Sequence, residues 1–276
     1  MIQAPKLPRT MNIISNIRRL GLALFGVILS HTLDAADLAA TNILKYEEPK
    51  HLAGTIYSAD RKKALFKFSR RSVRKGDRLD VFREYADLHG TVALSEKVIY
   101  QGDKLSEYDV DDLQSGAQGS AKIIELASEP AKSVISYQYA KDARSKSKPK
   151  TRNEPLRNPC LISDMVAPFL LDHWNELLKS QEVKCRLIVV ERRETVGFTF
   201  VKDSESRREG RNVIVVKMLP TSPIISALVD PLFFTIEKEG QKRILEYAGR
   251  TAVKVKEGGK WKDLDGVTVF EWGNAL

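Results

Sequence analysis

Few side chains in this sequence have the type and spacing to do chemistry. The nearest to a metal site is "YDVDD" (Tyr108–Asp112): on a strand, Asp109 and Asp111 share one face and could offer oxygens to a hard cation. The run lacks the spacing of a calcium loop, and a solvated strand face accounts for it equally well. His51, His89 and His173 are scattered. Asp172 and His173 are neighbours on an expected helix and so point in different directions, a poor base and orienting partner for a nucleophile. The sequence has no phosphate loop, no Gly-x-Ser-x-Gly elbow and no His-Glu-x-x-His, and "GAQGS" (Gly116–Ser120) reads as a turn. The expectation is a protein that is not an enzyme, with no cofactor and no metal.

Cys160 and Cys185 are the only cysteines. In an oxidising compartment an even pair suggests a disulfide, closing a loop of about 25 residues and contributing roughly 3 kcal/mol on the chain-entropy model. Two buried free thiols are the alternative, because spacing alone does not fix their separation. The compartment is suggested by the N-terminus. Arg18 and Arg19 precede the short apolar run Leu20–Ser30, and Leu33-Asp34-Ala35 offers small residues for cleavage before Ala36. Residues 1–35 therefore read as a signal peptide for the periplasm, with Met11 as an alternative start. The apolar run is too short to span a bilayer, which takes about 20 residues.

The chain carries a net charge of +9, and the leader accounts for three of those charges, leaving +6. That excess suits an anionic membrane surface. Nucleic acid fits the charge but not the export signal, so it is not expected as a partner.

The elements that position side chains follow from alternation. From Leu52 to Ala140, apolar and polar residues alternate in runs such as "ALFKFS", "RLDVFREYA" and "TVALSEKVIY", separated by Gly-containing turns such as Arg74-Lys75-Gly76-Asp77. This predicts an antiparallel meander. Residues 141–158 carry seven basic residues and two prolines with no apolar cluster, and read as a basic loop. "APFLLDHWNELLKSQ" (167–181) predicts a helix with Pro168 in its first turn and Leu170, Trp174, Leu177 and Leu178 on one face. Strands resume at "EVKCRLIVVE", "ETVGFTFVKD" and "NVIVVKML". Residues 222–229 read as a short helix started by Ser222 and Pro223. "LFFTIEK" and "KRILEYAGR" form a hairpin about Glu239-Gly240.

The fold class expected is α+β, mostly antiparallel β: a strongly curved sheet with one main helix packed on its concave face, within a single unit 36–276. A sheet that does not close leaves an apolar groove, and Trp174, Leu170, Phe198, Phe200 and Phe234 are its candidate lining. For each of them core packing is the alternative.

The leader, the long meander, the helix, the later strands and "VDPLFFTIEKEGQKRILEYAGR" resemble exported bacterial proteins with the half-barrel fold of the periplasmic lipoprotein carriers of LolA and LolB type. The resemblance implies an incomplete (half) β-barrel, helices plugging its concave face, and an apolar cavity. The expected function is a non-catalytic periplasmic binding or carrier protein for an apolar ligand: a lipid, an acyl chain or a lipidated protein. The alternative is a cell-envelope assembly or interaction factor whose interior is filled core.

Overall fold

The computed structural model describes residues 51–126, 129, 132–145, 148–227 and 229–272, all within one compact unit, Leu38–Leu276. The expected signal peptide lies outside the described residues. The first eight strands are β1 (His51–Ser58), β2 (Ala64–Lys75), β3 (Arg78–Asp87), β4 (Val92–Gln101), β5 (Lys104–Asp112), β6 (Ala117–Ile124), β7 (Val134–Ala140) and β8 (Lys150–Pro155). After β9 (Cys160–Leu161) come a 3₁₀ turn, Ser163–Met165, and two short helices, α1 (Val166–Asp172) and α2 (Trp174–Leu178). Then follow β10 (Val183–Val189), β11 (Glu194–Arg208), β12 (Arg211–Pro220), α3 (Pro223–Ser226), β13 (Leu232–Glu237), β14 (Ile244–Glu257) and β15 (Lys260–Glu271).

These strands form one 15-stranded sheet made of two meanders. One runs from β1 out to β8, the other from β15 back to β9, and the pair β1–β15 joins them. Every pairing is antiparallel except β9 with β10. Hairpin turns explain the order. The Gly76-Asp77 turn, for example, leaves Lys75 opposite Arg78 and so fixes the β2–β3 register.

The edge strands β8 and β9 are separated by four residues, a link that reaches roughly 18 Å at most. The two ends of the sheet must therefore come close together. They meet through side chains instead of a backbone ladder. Glu154 of β8 accepts hydrogen bonds from the Thr195 amide (2.8 Å) and hydroxyl (2.7 Å) on β11, and Arg186 lies 3.8 Å from it. Gly119 on β6 leaves no room for a Cβ against Val190, which marks the same overlap. The sheet is rolled up without being closed.

This overturns the expected α+β half-barrel with one main helix. The fold is nearly all β, and no main helix lies on a concave face. The helix expected over 167–181 breaks at His173, whose φ of −104° and ψ of 23° leave the helical region. The seven- and five-residue pieces are about 10 and 8 Å long, too short to form a layer. The short helix at 223–226 does begin with Pro223, although Ser222 makes no side-chain cap. The basic loop is also corrected, since Lys150–Pro155 pairs with β7 as a sheet edge. Charged residues and a terminal Pro suit an edge strand, because they discourage further pairing.

The larger of two apolar clusters gathers Tyr100, Ile135 and Tyr137 with Phe169, Leu170, Leu177, Phe200 and Ile214. A smaller one holds Ile56, Phe66, Phe68, Leu94 and Val253. Within β14, beside the start of β13, Gly249 adopts φ +136°, and a Cβ there would lie 2.5 Å from Leu232 Cδ2 and 3.3 Å from its Cα. Gly249→Ala is expected to cost roughly 1–3 kcal/mol from the strained backbone and the contact together. A drop in the urea midpoint at unchanged m-value would report it, and an unchanged midpoint would refute the packing described.

Candidate ligand cavity

The register of the first hairpins sets one cross-strand row apart. Buried positions alternate along β2 (Phe66, Phe68, Arg70), β3 (Val81, Arg83, Tyr85) and β4 (Leu94, Glu96, Val98). Pairing of Arg70 with Arg83, and of Arg83 with Glu96, places three charges side by side on an otherwise apolar face. Two guanidiniums opposite each other repel. Asp164, supplied by the 3₁₀ turn, makes the row tenable.

Arg70 donates from Nε and Nη2 to the two oxygens of Asp164, at 2.8 and 3.2 Å. Tyr100 donates to the same carboxylate at 2.8 Å, and Arg83 Nε lies 3.9 Å from it. Arg83 also pairs with Glu96 at 2.8 Å and donates to Ser163 and, at 2.9 Å, to Tyr85. Glu96 accepts from Tyr108 and, at 3.4 Å, from Tyr85. Among the described residues no buried side-chain polar atom lacks a partner.

Burial alone would push the Asp164 carboxyl up; the charge and hydrogen bonds of Arg70, with Arg83 behind, outweigh it and hold it below its ordinary value. Burial works against the charge of Arg83 too, and Glu96, Tyr85 and Asp164 together more than offset it, so the guanidinium stays ionised. Burial and the neighbouring Glu96 push the Tyr108 hydroxyl up, so it remains a donor.

This cluster forms one part of the lining of a cavity of about 470 Å³. That lies within the roughly 300–1,000 Å³ typical of small-molecule sites. The remaining walls are mostly apolar: Leu52 and Ile56 from β1, Phe68 from β2, Leu232 and Phe234 from β13, Tyr247 from β14, and Phe270 and Trp272 from the C-terminal end. The lining reaches exposed residues at Arg250 and Ala252.

Of the five residues expected to line a groove, Phe234 lines this cavity. Leu170 and Phe200 are fully buried in the larger core, Trp174 nearly so, and Phe198 packs half-buried against it. The charged row was not anticipated; its signal is that Arg70, Arg83 and Glu96 fall in step with apolar inward positions. Asp109 and Asp111 stand opposite Lys97 and Ser95 on β4. Burial, then Glu107, pushes the Asp109 carboxyl up. Among the described residues no three His, Cys, Asp or Glu side chains gather as a metal site.

Cys160 and Cys185 are separate buried thiols here, not a disulfide. The parallel β9–β10 register sets Cys160 opposite Arg186, one residue out of step with Cys185, and both lie in the larger core. Burial pushes both thiols up to about 12. They are expected to resist alkylation at pH 8 in the folded protein and both to react once it is unfolded without reductant. Fewer than two labels on the unfolded chain would contradict the unbridged arrangement.

No family model and no curated protein matches this chain. Similar solved structures include a β-barrel-like protein of the domain of unknown function DUF1849 from Brucella abortus, 10% identical with a TM-score of 0.40, over 80% of this chain and 96% of that one. Another is described as an exported protein with a YmcC-like fold from Bacteroides fragilis, 6% identical with a TM-score of 0.28, over 82% and 95% of the two chains. Such low scores carry no argument about this chain's fold, function or location. A likeness to LolA- and LolB-type carriers is not shown.

Proposed function

We propose that this is a non-catalytic binding protein of the periplasm that holds an apolar ligand, a lipid or an acyl chain, inside its rolled sheet. The cavity of about 470 Å³ carries the reading: its walls are largely apolar, and its buried charges are grouped on β2–β4 and the 3₁₀ turn. A packed interior would have favoured the alternative, an envelope assembly factor with a filled core. A lipidated protein could present the same acyl chain, and the positive excess suits delivery from an anionic membrane surface.

Trp272 is the natural reporter, because it lines the cavity and donates from its ring nitrogen to the Ile244 carbonyl at 2.7 Å. In a Trp261→Phe variant, which removes the exposed indole, a palmitoyl amphiphile is expected to change the tryptophan emission. At a hundredfold excess over Kd it should also add about 2.7 kcal/mol of stability, seen as a rise in Tm. Unchanged emission and Tm at saturating ligand would refute the proposal.

A further inference from the structure

We infer that the ligand's head group is uncharged: the cavity takes a single-chain amphiphile ending in a hydroxyl, amide or ester, and discriminates against chains ending in carboxylate or phosphate. This rests on reading the cavity as a ligand site, and it follows from the charges in its lining.

The cavity is lopsided. Aliphatic and aromatic side chains from β1, β13 and the C-terminal end face a polar floor made by Arg70, Arg83, Glu96, Tyr108 and Asp164. A bound amphiphile must therefore set its chain against the former and its head against the latter. Two arginines would ordinarily mark a site for an anion. Here each guanidinium already has its own carboxylate: Arg70 has Asp164 at 2.8 Å, and Arg83 has Glu96 at 2.8 Å. Among the described residues these four buried charges sum to zero. The other cation in the lining, Arg250, is taken by Asp263 and Asp265 at 2.6 and 2.7 Å. Among the described residues of the lining, every cation is paired with a carboxylate.

An ionised head would bring an uncompensated charge into a site whose side chains are one-tenth exposed or less. Otherwise it would have to displace Asp164 from Tyr100 or Glu96 from Tyr108, each already hydrogen-bonded. A hydroxyl, amide or ester can accept from, or donate to, the same groups without changing the sum. The same balance excludes a cationic head.

The test compares three ligands with one palmitoyl chain, each below its micellar concentration at pH 8: monopalmitoylglycerol, palmitate and palmitoyl-lysophosphatidate. Their binding to the full chain is followed by titration calorimetry. Monopalmitoylglycerol should bind at least about tenfold tighter than either anion. Glu96→Gln keeps the shape of the side chain but leaves the cluster at +1, and should tighten palmitate binding by about tenfold with little effect on monopalmitoylglycerol. Arg83→Met moves the sum to −1 and should weaken palmitate further, which guards against either variant failing to fold. Palmitate binding as tightly as monopalmitoylglycerol in the unaltered protein would overturn the inference and leave the cavity reading standing. Binding of none of the three would remove that reading, and this inference with it.

Discussion

Asp164→Ala is expected to destabilise the protein by about 3–5 kcal/mol, because it leaves two buried guanidiniums facing one another with Glu96 on the far side of Arg83. Breaking a buried pair from one side is costly, whereas removing both partners often is not. The double variant Arg70→Met, Asp164→Leu should therefore recover more than about 1 kcal/mol of the loss. The pH dependence has a definite sign. Asp164 titrates below its ordinary value of 3.8 in the folded state, so its contribution is complete above that value and fades as pH falls through the lowered one. Acid should destabilise the native protein below about pH 4 more steeply than it does Asp164→Ala. Chemical denaturation at pH 7 and pH 3 checks both statements. A loss under 1 kcal/mol for Asp164→Ala would mean that the carboxylate does not hold the charged row together.

Phe200→Ala should cost about 3–5 kcal/mol while leaving ligand affinity nearly unchanged. Phe200 is fully buried, between Phe169 at 5.8 Å and Phe234 at 6.0 Å between ring centroids, and it is not part of the cavity lining. Phe234→Ala removes a neighbouring ring that does line the cavity, and should weaken both stability and binding of a palmitoyl amphiphile. Measuring unfolding and titration on the two variants separates core from wall. Equal losses of affinity in both would contradict the boundary drawn between Phe200 and Phe234.

The strands were legible because their alternation and glycine turns act locally. The Gly76-Asp77 turn is enough to set Lys75 against Arg78, and counting back along both strands puts Arg70 against Arg83. The charged floor of the cavity was thus within reach of the sequence. It is easily missed because charges on a strand are normally taken to face solvent. Asp164 could not be read the same way, since it comes from a 3₁₀ turn 94 residues along the chain from Arg70. The edge strand β8 looks like a loop because its side chains are mostly exposed, while its pairing with β7 depends on backbone groups that composition does not reveal. The helix over 167–181 has the right apolar spacing, which does not reveal that the backbone leaves the helical region at His173 and divides it in two. Trp174 shows the same limit: periodicity correctly turns it inward, but not toward the cavity.

The central claim is that the rolled sheet holds one apolar ligand in the cavity beside the Arg70–Arg83–Glu96 row. Native mass spectrometry of the protein purified from its native cells tests it most directly. The account predicts a one-to-one adduct with the mass of a single-chain amphiphile, restored by monopalmitoylglycerol after delipidation. That adduct should be lost in Ala167→Trp, which fills space at a half-buried position of the lining. A bare mass that stays bare after incubation with monopalmitoylglycerol, or an adduct that survives Ala167→Trp undiminished, would contradict it.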